Sequence, residues 1–159
     1  MDRTQHKPPT TPAPLAALLT TAAAVIDANP HMRPDAEIGP RFIEGVLTLI
    51  TRRLIAPAAA QYREAEHTAR AAATNLYVAQ RDGATPTTIR AAHRHADETA
   101  RRRNAAAKQV AAAERAAAAT TAAALDALGP LPTGTTRAQL SAAMRRTAVA
   151  APALTGATR

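Results

Sequence analysis

The chain has 159 residues, of which 45 are alanine, while Leu, Ile, Val and Phe together number only 24. That is about 15% of the chain, under the roughly 20% below which disorder competes with a packed core; two Tyr, one Phe and no Trp exclude a strand-rich fold. The lack of cysteine excludes disulfides, thiolate metal sites and a cysteine nucleophile, and the formal charge of +8, from 18 Arg and 2 Lys against 12 acidic residues, favours polyanions or anionic membrane surfaces.

Alanine is the best helix former, so the composition that thins the core also favours helices. Residues 1–14, rich in Pro and Thr, read as a disordered arm. A first helix is expected from about Leu15 to Ala28, with Leu15, Leu18, Leu19, Ala22, Val25 and Ile26 on one face and Asn29-Pro30 as its stop. Ala22-Ala23-Ala24 would suit a signal cleavage site, but only about seven apolar residues precede it, so a cytoplasmic location is expected. No apolar run long enough to span a membrane occurs.

A second helix starts at Pro40 and runs to Ala56, with Ile43, Leu47, Ile50 and Leu54 inward and Phe42, Val46 and Leu49 widening the stripe. Pro57 is expected to end it or kink it into a third helix, Ala58 to about Arg81. The third helix carries a heptad seam of Ala58, Tyr62, Ala65, Ala69, Ala72, Leu76 and Ala79. The steps from Leu54 to Ala58 to Tyr62 are both four residues, which places a phase jump at the proline.

Asp82-Gly83-Ala84-Thr85-Pro86 is a breaker ending in an N-cap threonine and a first-turn proline. A fourth helix follows, ended at Leu128 by Gly129. Antiparallel pairing about that turn sets Ile89, Ala92, Ala96, Thr99, Arg103, Ala106 and Val110 opposite the seam of the third helix, then Ala113, Ala117, Thr120 and Ala124 beyond it. Residues 129–159 read as a flexible tail with a short basic helix, about Arg137 to Val149.

The expected fold is therefore all-α: a kinked, Ala-rich, coiled-coil-like antiparallel hairpin, projecting over about 58–106 and packed with two shorter helices into a small bundle within 15–128. An alanine seam buries little. Each Ala in place of Leu forgoes roughly 2 kcal/mol of burial.

Metal and enzyme chemistry find little footing. His93 and His95 lie about 200° apart on a helix, no HxxxH or HExxH occurs, and Glu64, Glu66 and His67 read as a solvated turn, so no metal or other cofactor is expected. Ser141 is the only serine, no GxSxG, GxGxxG or phosphate loop is present, and an alanine-lined helix pair offers no concave pocket; neither catalysis nor a small-molecule substrate is expected.

Arginine carries the stronger signal. Arg101, Arg102 and Arg103 spread over an arc of about 200°, with Arg90 and Arg94 upstream, and these five are candidate phosphate contacts. Asp97 to Arg101, Glu98 to Arg102, Arg94 to Glu98 and Glu66 to Arg70 are i, i+4 pairs that neutralise part of this charge. Arg103 falls on the seam, from which it is expected to reach toward Glu64 or Glu66. The preferred reading is a non-enzymatic interaction or scaffold module that self-associates or binds a protein partner through its Ala-rich helix faces. The alternative is an accessory nucleic-acid-binding protein that uses the five arginines.

Overall fold

A computed structural model describes residues 14–154; the arm expected over residues 1–14 lies outside the described residues except for the backbone of Pro14, as does the tail after Leu154. The described residues form four helices: α1 (Pro14–Asp27), α2 (Pro40–Arg81), α3 (Pro86–Leu128) and α4 (Arg137–Leu154). The expected all-α class is the one observed. Its single β feature among the described residues is an isolated antiparallel bridge between Glu37 and Thr136.

Pro57 does not end a helix. It lies inside α2, so the second and third expected helices are one. A proline removes one N–H and crowds the carbonyl four residues back. Leu54, expected in the core, is 60% exposed, and Leu49 is 47% exposed, whereas Thr51 is buried and Ile55 half-buried. The inward positions run Leu47, Thr51, Ile55, Ala58, Tyr62, with the two consecutive four-residue steps one turn before Pro57.

The turn from α2 to α3 follows helix-capping chemistry. Gly83 has φ +68° and the Ala84 N–H donates to Ala79 O at 3.0 Å, while Gly83 N–H donates to Gln80 O at 3.4 Å, the two bonds of a Schellman motif. Thr85 Oγ1 accepts the Thr88 N–H at 3.3 Å and so caps α3.

The chain divides into two compact units, one formed by residues up to Thr51 together with those from Ala118, the other by Arg52–Ala117. In the first, α1 packs along α4. Its core joins Leu18, Leu19, Ala22, Ala23 and Ile26 of α1, Ile43, Val46, Leu47 and Ile50 of α2, Ala124 of α3, and Leu140, Met144, Ala148 and Ala151 of α4. α4 is thus longer than the helix expected in a flexible tail, and its inward side chains are core. Thr136 and Gln139 start it as a capping box: Gln139 Oε1 accepts the Thr136 N–H at 2.9 Å and Thr136 Oγ1 accepts the Gln139 N–H at 3.4 Å.

The loop before α2 is stitched to the start of α4. Ile38 N–H donates to Thr135 O and Arg137 N–H to Ala36 O, both at 2.9 Å. The Arg137 guanidinium donates to the carbonyl of Asp27, which the end of α1 leaves without a helical partner, and to those of Asn29 and Met32 in the loop that follows. Arg145 pairs with Asp27 in the same region.

In the second unit α2 and α3 lie side by side. Their alanine faces form the interior, with Ala69, Ala72, Thr99, Ala106 and Ala117 buried. Thr99 Oγ1 donates to the backbone of its own helix at 3.0 Å, so the buried hydroxyl is satisfied without a partner across the seam.

Candidate functional site

In the second unit the α2 residues Tyr62, Ala65, Leu76 and Ala79 are half-buried and Ala69 and Ala72 buried; on α3, Ile89, Ala92, Ala96 and Val110 are half-buried and Thr99 and Ala106 buried. These side chains are turned in upon one another within the hairpin. Gln80 and His93 meet near its tip, their side-chain nitrogens 3.4 Å apart. Arg103 departs from the pattern. It is exposed and donates to Asn104 Oδ1 at 3.0 Å through Nη2, not to Glu64 or Glu66, because the neighbouring amide offers an acceptor without drawing the guanidinium over alanine.

The five candidate arginines are all exposed but not equivalent. Arg102 is paired with Glu98 at 2.5 Å, and Arg90 Nε donates to Pro86 O at 3.3 Å. Arg94 and Arg101 make no ion pair among the described residues; the expected pairs Arg94 to Glu98 and Asp97 to Arg101 do not form, whereas Glu66 and Arg70 pair at 3.1 Å. Two further cations, Lys108 and Arg115, are also exposed and free of ion pairs among the described residues.

Arg94, Arg101, Lys108 and Arg115 stand seven residues apart. The inward positions Ala92, Thr99, Ala106 and Ala113 repeat by the same seven, two residues earlier. Two residues are about 200° of turn, so the cations hold the face opposite the seam along the whole length. The stripe extends over roughly 31 Å at 1.5 Å per residue. Asp97 and Glu98 are the carboxylates that flank that face, and Glu98 is paired with Arg102. The heptad spacing of these four was readable in the sequence, where the triplet Arg101–Arg103 drew attention away from it.

Compared with family models, curated proteins and solved structures, the chain matches none. Charge and geometry therefore carry the functional reading. The second unit holds twelve basic and six acidic side chains, +6, against eight and six, +2, in the first. Among the described residues no group of three or more His, Asp or Glu could hold a metal ion, and no helix is long and apolar enough to cross a membrane.

Ser141 lies 3% exposed in α4, and its hydroxyl has no hydrogen-bond partner among the described residues. Contrary to the expectation that an alanine-lined helix pair offers no concavity, the second unit carries a pocket of about 240 Å³ on the seam, lined by Ala65, Thr68, Thr99 and Arg102 among others. In the first unit a cleft of about 810 Å³ is lined by Glu37, Ile38 and Gly39 ahead of α2, by Ile43 and Glu44 of α2, by Leu125 near the end of α3, and by the Gly129–Gly134 connection.

Proposed function

We propose that this protein is a non-enzymatic helical module that binds nucleic acid through the outward face of α3. The observation that carries the reading is the seven-residue repeat of Arg94, Arg101, Lys108 and Arg115, opposite the buried seam and free of ion pairs among the described residues. A straight row of cations matches a polymer that carries negative charge at regular intervals, such as a phosphate backbone. Helix α3 contains no Phe, Tyr or Trp, so the larger stacking platforms for unpaired bases are missing there and a duplex is the better fit. The contacts go to phosphates, and binding is independent of sequence. The inward packing of Tyr62 to Ala79 against Ile89 to Val110 weighs against those alanine faces as a free partner surface.

Duplex DNA binding measured across a salt series tests this. Four phosphate contacts predict a slope of about −3.6 in log affinity against log salt, or roughly a 150-fold loss between 50 and 200 mM. A protein carrying glutamine at all four positions should lose binding while keeping its helical signal. Equal affinity for wild type and that variant would refute the assignment.

A second reading, self-association, draws support from the first unit, where Val25, Phe42, Val46 and the 47% exposed Leu49 line an apolar groove of about 290 Å³. Light scattering at two concentrations reads it directly: a rise in mass that Leu49→Lys abolishes is the expected result, and constant monomer mass removes the reading.

A further inference from the structure

We propose that the cleft of the first unit is a binding site for a small organic cation with an apolar body, an alkyl- or arylalkyl-ammonium. Its volume of about 810 Å³ falls within the range of small-molecule sites. Ile38, Ile43, Leu125 and Leu131 supply apolar wall, and Glu37 and Glu44 are the charged lining residues among those described. Glu37 and Glu44, like Glu64, Asp97, Glu114 and Asp126, have no ion pair among the described residues, and of these six they alone border the cleft. Two carboxylates left free beside an apolar wall complement a cation that also has surface to bury.

The walls are fixed before any ligand arrives. Ile38 N–H is bonded to Thr135 O beside Glu37, and Thr135 Oγ1 donates to Pro132 O at 2.6 Å, which closes the loop on the opposite side. Gly129 and Gly134, with φ of +65° and +81°, set the two bends of that loop. Helix ends add little. The negative C-terminus of α3 and the positive N-terminus of α2 both border the cleft and offset one another, so the two carboxylates decide the sign of the guest.

Gly39 provides a plug. It lines the cleft, its φ is not positive, and a Cβ built on it meets nothing within 4 Å, so a larger side chain is accommodated at the edge of the cleft without backbone strain.

The test is a fluorescence titration with dansylcadaverine, an apolar dye bearing a primary ammonium, beside dansylamide, which lacks it. Saturable one-site binding is expected, about five- to tenfold tighter for the ammonium at low salt, with that preference lost in the Glu37→Gln, Glu44→Gln double variant. Gly39→Phe should abolish binding of both dyes. Should that variant lose its helical circular dichroism, Leu125→Gln at a 37% exposed wall position should weaken both dyes alike. Equal affinity for the two dyes, binding undiminished by a folded Gly39→Phe, or no saturable binding would overturn the proposal. So would displacement of the dye by an equal concentration of spermidine, which has the charge without the apolar body. The readout does not involve the α3 cations Arg94, Arg101, Lys108 and Arg115, so it stands or falls apart from the nucleic-acid reading.

Discussion

The Arg137 guanidinium donates to the Asp27 carbonyl at 2.6 Å, which ties the first turn of α4 to the last turn of α1 across 110 residues of sequence. The same side chain also reaches the carbonyls of Asn29 and Met32. Charge-assisted bonds to helix-end carbonyls are among the stronger polar contacts, and partial exposure reduces their worth. Arg137→Ala should lower unfolding stability by about 1.5–2 kcal/mol in urea denaturation, and Arg137→Lys should recover less than half, since an ammonium cannot fork to several acceptors. A shift below about 0.5 kcal/mol for the alanine variant would show that these bonds are exchanged for water without loss.

The α4 packing yields a second prediction. Leu140 and Met144 are fully buried, so Leu140→Ala or Met144→Ala should cost about 2–4 kcal/mol, whereas Leu54→Ala, at a 60% exposed position, should cost under about 1 kcal/mol. Thermal and urea midpoints of the three variants decide it. A silent Met144→Ala would return residues 137–154 to the status of a loosely held tail.

The same residues show what could be read before the structure. The alanine seam was legible because its heptad spacing survives over about six turns, and Gly83, Thr85 and Gly129 mark helix ends by conformational preference alone. Leu54 misled because periodicity reports a stripe, and the phase of that stripe moves at Thr51, where packing in the first unit takes over. α4 was undervalued because only Leu140 and Met144 are large; Ser141, Ala148 and Ala151 complete its inward face, and small residues look alike in core and on surface. The cleft was invisible because its walls come from segments some 90 residues apart in sequence.

Ser141 gives a prediction of opposite sign. A hydroxyl buried without a partner costs about 1–3 kcal/mol, and alanine removes it while leaving the methylene-sized space filled. Alanine also has the higher helix propensity. Ser141→Ala should therefore raise stability by about 1 kcal/mol, seen as a higher urea midpoint at unchanged slope. Destabilisation would mean that the hydroxyl is bonded in solution.

Glycines supply an internal contrast. Gly45 lies within α2 with open space where an alanine methyl would sit, so Gly45→Ala should stabilise by up to about 1 kcal/mol through helix propensity. Gly83 holds φ +68° in the turn, so Gly83→Ala should destabilise by about 1 kcal/mol despite equally open space. Thermal melts of the pair separate backbone conformation from packing; equal signs would contradict the left-handed turn at Gly83.

The α3 face predicts which cations matter for binding. Arg101→Gln and Lys108→Gln should each weaken duplex affinity and each reduce the salt slope by about 0.9, because each removes one phosphate contact from the row. Arg102→Gln should leave the slope unchanged, since that guanidinium is held by Glu98 at 2.5 Å and lies about 100° around the helix from Arg101. The free Asp97 on the same face works the other way. Asp97→Asn removes a like-signed neighbour of the phosphates and should strengthen binding at low salt, with the gain fading as salt rises. Should Arg102→Gln weaken binding as much as Arg101→Gln, the contact would follow the triplet of adjacent arginines and not the heptad row, and the orientation proposed for α3 would have to be turned by about a quarter of a revolution.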